Sequence, residues 1–507
     1  MKLMFDYAKV NSFNLSNNGI QIIENEKYIE IYNDPFRTVP LFITRTDKNE
    51  LIIFSEFEKY FDLNSVSKEV DETGFWEIVL FGSGLWTRTL YKNVKQMPAA
   101  TCLTIDKVSE IYKIKRYWNY SIKENESIKT IEQAADGLHS ILDRIFSKLE
   151  SNKRYVLGMS GGLDSRITLA YLSKHIPKEK IDLFTFGFDK RILEFKYAKN
   201  VADALGIACP VFHKLTARAY RESLNYLPRI SGGQVSINHC HIIDFLKTIK
   251  TNNNLHLSTY LTDALFGYEC TYPKLKCNVG NNYYAEVARS SSQLKPETVS
   301  EIIDDSLSIF EGFDEDANFS SLDEYKYLTE RNIKFHVFMA HLQNMSVDTL
   351  CIYANVDLLK YCMSMPIKFR VNKNIIDALL NKYFNDISMD KLNNISSRDS
   401  KTSTSLFQWS NKFLGFYNWH IFRILNRLNS ILRIITAGKF QIINKFQTEE
   451  HERLLYSDFK VRLHLATSKL LVKELITKNQ KKLYDKLPIR SAGVAERYTL
   501  ISLAELL

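Results

Sequence analysis

The sequence predicts an α/β protein: a β-rich N-terminal region, then a doubly wound parallel α/β domain, then a C-terminal helical region. Three observations carry this prediction. Short alternating or apolar runs punctuated by Asn, Asp and Pro fill residues 1–118. Tyr155–Met159 and Ile181–Phe188 have the length and apolar content of buried parallel strands, and each is followed by residues at helical spacing. Such alternation implies a parallel sheet whose ligands bind at the carboxyl ends of its strands. From Glu330 onward the pattern is helical.

Taken in order, Ile20–Ile23, Tyr28–Tyr32, Val39–Ile43 and Leu51–Phe54 read as strands of an antiparallel meander. Residues 119–130 are polar and read as a linker. Ile131–Leu149 carries Ala134, Leu138, Ile141, Leu142, Ile145 and Phe146 on one face, an amphipathic helix feeding the strand at Tyr155. The division is therefore 1–118, 119–130 and 131–507. Glu194–Leu205 reads as a helix ended by Gly206. Phe413–Ile435, basic and aromatic, is expected to be a core helix of the C-terminal bundle rather than a membrane-surface segment. Glu496–Leu507 closes the chain as a helix.

The totals exclude several classes. In 507 residues, 45% are hydrophobic and 25% charged, ordinary for a globular protein with two or three domains. The net charge of +9 comes from scattered lysines, which suits solubility and anionic substrates better than nucleic acid. Seven irregularly spaced cysteines fit a reducing compartment. There is no signal-peptide apolar core, and no uncharged apolar run reaches the ~18 residues that span a bilayer. The expected location is the cytoplasm.

The informative stretch is Ser160-Gly-Gly-Leu-Asp-Ser165, between the strand at Tyr155–Met159 and a helix with Leu163, Ile167, Leu169 and Ala170. Adjacent glycines admit an anion close to the backbone, and the first helical turn points its N–H groups at it. Ser160 and Ser165 add hydroxyls. Asp164 would repel a phosphate unless a divalent cation sat between them. No Gly-Lys-Ser/Thr follows, so neither the Walker nor the dinucleotide pattern applies.

This string resembles the pyrophosphate loop of the asparagine synthetase family, whose members activate a carboxylate with ATP as an acyl-adenylate and release pyrophosphate. The resemblance extends along the chain. Asp34-Pro-Phe-Arg-Thr-Val-Pro-Leu-Phe42, Phe54-Ser-Glu-Phe-Glu-Lys59, Phe81-Gly-Ser-Gly, Thr89–Pro98 and Arg116-Tyr-Trp118 resemble the family's amidotransferase domain and its exit. Leu257-Ser-Thr-Tyr-Leu-Thr-Asp-Ala-Leu-Phe-Gly267 resembles its second aspartate segment, with Asp263 at the aspartate. Asp164 and Asp263 would then hold Mg²⁺ on the pyrophosphate of ATP. Ser160, Gly161, Gly162 and Ser165 would cradle the phosphates, and Phe186, Gly187 and Phe188 would wall the adenine.

The departures are as informative. The family begins Met-Cys, that cysteine being an N-terminal nucleophile that frees ammonia from glutamine. Here residue 2 is Lys2 and the first cysteine is Cys102. Residues 1–118 are thus expected to be a truncated, glutaminase-inactive amidotransferase remnant. Thr259 and Leu261 replace family glycines, which implies that the loop cannot take every backbone conformation of the original. Tyr260 stands at the family's glutamate. β-Lactam synthetases, which lack glutaminase, resemble this chain there, and lasso-peptide cyclases belong to the same branch. By that resemblance Tyr260 is a candidate general base, with Glu330 as its nearest carboxylate. Lys401, with Arg398 as the alternate, is the candidate for the lysine that steadies the activated intermediate.

Asp357 matches a family aspartate and is read as a helix N-cap. His239-Cys240-His241, read as a strand, cannot converge on one metal and is assigned to the acceptor pocket. The expected function is an ATP-dependent, AMP-forming amide ligase coupling a carboxylate to an amine or ammonia. The alternative is a non-catalytic synthetase homologue, motivated by the altered loop at Thr259–Thr262. A partner protein or a homodimer is compatible with either.

Overall fold

The computed structural model describes residues 2–4, 19–187, 190, 192–236, 239–249, 254–292, 294–388, 392, 461–485 and 491–507. Strands β1 (Lys2–Met4), β2 (Ile20–Glu24), β3 (Tyr28–Asn33), β4 (Phe42–Arg45), β5 (Leu51–Phe54), β6 (Lys95–Gln96), β7 (Thr101–Asp106) and β8 (Tyr112–Arg116) form two sheets. Their orders are β1-β5-β4-β6 and β2-β3-β7-β8. The expected meander is therefore a pair of stacked sheets, and β1 runs parallel to β5. Side-chain alternation explains the stacking. Ile43, Leu51 and Ile53 enter a core with Ile31, Leu103 and Ile105 of the other sheet. Phe42, Ile52 and Phe54 point the opposite way, into a second core with Phe57, Phe338 and Leu500. A sheet buried on both faces reads as a continuous apolar run, as Leu51-Ile-Ile-Phe54 does.

This region is joined to the rest through its interior. Lys334 is 1% exposed and donates to the carbonyls of Gly84 (3.0 Å) and Trp86 (2.9 Å). Arg88 meets Asp71 at 2.8 Å, Asp305 at 2.5 Å and Glu301 at 3.1 Å. The polar run 119–130 is anchored at Tyr120, which is fully buried and whose hydroxyl donates to the Pro35 carbonyl at 2.5 Å, while Lys123–Ser127 are exposed.

The helix Ile131–Phe146 opens with a capping box between Thr130 and Gln133. Then β9 (Arg154–Gly158), β10 (Ile181–Gly187), β11 (Val211–Lys214), β12 (Asn254–Ser258) and β13 (Thr349–Cys351) build one parallel sheet in the order β11-β10-β9-β12-β13. The order reverses between β9 and β12, which leaves a crevice at their carboxyl ends. Helices Leu163–His175 and Leu193–Leu205 follow β9 and β10, the latter closed by Gly206 at φ 64°. The main core gathers Leu157, Leu257 and Leu350 of the sheet with Leu138, Ile167, Ala198 and Leu358 of the surrounding helices. The helix expected at the end of the chain spans Ser491–Leu506. The segment 413–435 lies outside the described residues. All seven cysteines are free thiols. Among the described residues no helix is long and apolar enough to cross a membrane.

Candidate active site

After β9 the chain turns through Ser160-Gly161-Gly162 into the helix Leu163–His175. Gly161 has φ +76°, and a Cβ there would stand 2.5 Å from the Tyr197 Cβ and 2.7 Å from its carbonyl carbon. Left-handed backbone and close approach of a neighbouring helix together require glycine. The hydroxyls brace the turn: Gly162 N–H donates to Ser160 Oγ at 3.3 Å, and Ser165 Oγ donates to the Gly162 carbonyl at 3.2 Å.

Beneath the turn lies Arg166, which sequence reasoning passed over. Its guanidinium is fully buried and donates to the carbonyls of Gly161 (2.9 Å) and Ile387 (2.7 Å). Burial lowers its pKa to about 10, against the opposing charge of Asp377. It ties the glycine turn to the 385–388 turn. The structure supplies the reason it matters: residues 165–172 are buried throughout, and a charge inside such a helix needs partners.

On the other side of the crevice, Leu261 has φ +79° and caps the helix Thr262–Phe266, which carries Asp263 in its first turn. Leu261 thus holds a left-handed conformation at a position where the resemblance puts a glycine. Left-handed backbone costs a non-glycine residue about 1–2 kcal/mol. The Leu261 side chain is 1% exposed in the main core, and burying a leucine contributes about 1.5–3 kcal/mol. Packing therefore offsets the strain.

The two aspartates converge. Lys373 Nζ lies 2.8 Å from both Oδ1 and Oδ2 of Asp164 and is bonded to Asp263 Oδ1. Burial works against charging Lys373, but the two carboxylates outweigh it and raise its pKa above the usual lysine value. Burial also holds Asp164 above the usual carboxylate range, only partly countered by Lys373 and reinforced by the Asp263 charge. Lys373 is not among the residues the sequence singled out. It is the left-handed N-cap of the helix Asn374–Tyr383, and nothing in its periodicity marks the role.

Beside this cluster opens a cleft of ≈ 220 Å³ whose lining includes Ser160, Asp164, Ser165, Phe184, Phe186, Tyr260 and Gln343. Gly187 is outside that lining and abuts the Ile192 side chain. Tyr260 stacks on His336, centroids 5.3 Å apart and planes 4° apart, and its hydroxyl accepts from Gln343 Nε2 at 3.2 Å. Burial pushes its pKa up to about 12, opposed by the Gln343 hydrogen bond. Glu330, named as its nearest carboxylate, pairs instead with Lys334 at 2.7 Å.

Other expectations fall out differently. His239 and Cys240 precede a helix, His241–Leu246, rather than forming a strand. His239 packs on Phe335 (4.5 Å) and His241 on Phe186 (4.3 Å). The helix Val356–Ser364 is capped by Asn355, which accepts from Leu358 N–H at 3.0 Å; Asp357 lies in its first turn. Phe188, Arg398 and Lys401 lie outside the described residues.

Among the described residues no group of three or more His, Cys, Asp and Glu side chains is placed to hold a metal. Two converging carboxylates still fit a hard cation that takes its remaining ligands from water and phosphate, as Mg²⁺ does. A glycine turn at a helix N-terminus fits the phosphates.

Comparison with known proteins follows these features. Residues 140–390 match the family model described as asparagine synthase. No curated protein matches the chain. Among solved structures, a glutamine-dependent NAD+ synthetase from Acinetobacter baumannii in complex with adenosine diphosphate is 17% identical, with a TM-score of 0.21. That alignment covers 44% of this chain and 42% of the other. The glycine turn after β9 and the aspartate helix after β12 both lie inside the matched segment, and that segment belongs to the asparagine synthase family.

Proposed function

We propose that this protein is an ATP-dependent, AMP-forming ligase. It adenylates a substrate carboxylate, releases pyrophosphate and passes the acyl group to an amine or to free ammonia. Family membership supports an ATP-dependent amide ligase in general. The observation that carries the finer reading is the meeting of Asp164 and Asp263 at one cationic point beside the Ser160–Ser165 turn.

In this reading the backbone of Ser160, Gly161 and Gly162 and the Ser165 hydroxyl hold the phosphates. Phe184 and Phe186 supply the apolar wall for the adenine ring. Asp164 and Asp263 would hold Mg²⁺, which when bound neutralises charge on the pyrophosphate. Lys401 steadies the intermediate. Tyr260 faces the cleft and relays a proton from the incoming nitrogen. Its raised pKa keeps the phenol neutral near pH 7, so it passes a proton on rather than storing one.

The second reading, a non-catalytic homologue, was motivated by the altered Thr259–Thr262 loop. The left-handed backbone of Leu261 there supports the ligase reading over this one. Isotope exchange between ATP and pyrophosphate, run across candidate carboxylates, tests the proposal. Exchange that disappears in Asp164→Ala supports the ligase. Absence of exchange with every carboxylate supports the binding protein.

A further inference from the structure

Lys373 occupies the point where the two carboxylates of the proposed cation site converge. Its ammonium takes both oxygens of Asp164 and one of Asp263, the atoms a divalent cation would need. Two carboxylates and one ammonium leave a single net negative charge, a weak attraction for a bare dication. The lysine side chain is 12% exposed, so its charge is poorly screened.

The backbone indicates that this contact is held rather than relaxed. Asn372 (φ 54°) and Lys373 (φ 58°) are consecutive left-handed residues, and neither is glycine. They form the joint between the helices Ile367–Arg370 and Asn374–Tyr383. Strain at such a joint persists where surrounding contacts impose it. Here the imposing contacts include the ion pairs of Lys373 itself. A displaced ammonium also has somewhere to go: the Tyr268 ring lies 6.0 Å from Nζ, and a phosphate held at the helix N-terminus beside Asp164 would offer it anionic oxygens.

We infer that Lys373 is an internal counter-ion that excludes a bare divalent cation from Asp164 and Asp263, so that the cation enters only together with a di- or triphosphate. As the pair arrives, the ammonium passes from the carboxylates to the phosphate oxygens. The inference rests on the ligase reading for the identity of the cation site, but it concerns binding alone.

Mn²⁺ is the probe, its protein-bound fraction read by electron paramagnetic resonance and water-proton relaxation on the full chain, without carboxylate substrate. The unaltered chain should show no saturable Mn²⁺ binding by itself at concentrations where Mn²⁺ with inorganic pyrophosphate binds. Lys373→Gln should bind Mn²⁺ alone about tenfold or more tightly than the unaltered chain, some 1.4 kcal/mol. Lys373→Arg, which keeps the charge, should not. Equal Mn²⁺ affinity in Lys373→Gln and the unaltered chain overturns the inference. So does tight one-to-one Mn²⁺ binding by the unaltered chain without pyrophosphate, or no binding under any of these conditions. Should the glutamine variant not fold, the unaltered chain with and without pyrophosphate decides. Since no turnover is read, failure of ATP–pyrophosphate exchange with this Mn²⁺ pattern intact would sink the ligase alone.

Discussion

The Tyr260 hydroxyl accepts its hydrogen bond from the side-chain amide of Gln343, at 3.2 Å, and not from a carboxylic acid. A neutral partner cannot take up a proton, so in the proposed amide-forming step the tyrosine would pass its proton to solvent or substrate. Tyr260→Phe is expected to leave ATP–pyrophosphate exchange within about threefold, because adenylation needs no proton from the nitrogen. Amide formation should fall about 100-fold, the usual scale for a lost acid–base group. Exchange and product formation measured side by side check this; equal losses in both would assign Tyr260 to packing.

Arg166 holds two carbonyls with charged donors, each such hydrogen bond contributing about 1.5–3 kcal/mol. Arg166→Met should lower stability by roughly 3 kcal/mol and weaken ATP binding more than it alters the melting of the ligand-free chain. Calorimetric titration with nucleotide beside denaturant unfolding separates the two effects.

At Leu261, strain relief and burial oppose each other. Leu261→Gly relaxes about 1–2 kcal/mol of left-handed strain but deletes a buried side chain whose loss costs about 3–5 kcal/mol. The net expectation is a destabilisation of roughly 2 kcal/mol, seen as a lower urea midpoint. A stabilised variant would mean that the core does not hold this turn.

His256, 4% exposed on β12, has its pKa lowered to about 3 by burial. Between that value and the unfolded value of 6.5, the unfolded chain binds the extra proton. Its contribution to stability is therefore full above pH 6.5 and is lost as the pH falls toward 3. Each such group adds a slope of about 1.4 kcal/mol per pH unit within the window. His336 and His341, both lowered to about 4 by burial, act in the same direction. Unfolding free energies at pH 7, 6 and 5 should fall steadily, and His256→Gln should flatten the slope by about one proton.

Lys334, on the helix Tyr327–Val337, ties that helix to the N-terminal region through the Gly84 and Trp86 carbonyls, and pairs with Glu330 one turn away on its own helix. Lys334→Met would strand the buried Glu330 carboxylate, a loss of about 3–5 kcal/mol. The unaltered chain should unfold across this junction in one transition, whereas the variant should show the N-terminal sheets melting first. Hydrogen exchange across β4 and β5 reads this directly.

The sequence alone determined the elements with a strong local signature. The strand–glycine–helix unit at Tyr155–Leu169, the helices at Ile131 and Glu194, and the strands at Ile20, Tyr28 and Leu51 are set by periodicity and by the backbone freedom of glycine, both local properties. The tertiary structure decided which distant side chains meet. It gave Asp164 and Asp263 a common lysine, gave Tyr260 an amide where a carboxylate was sought, and gave Glu330 to Lys334. It also let Leu261 keep a turn that its residue type disfavours. Pairings of this kind depend on packing between segments far apart in the chain, and the energy of burial can override a local preference of one or two kcal/mol without leaving any mark in the pattern of residues.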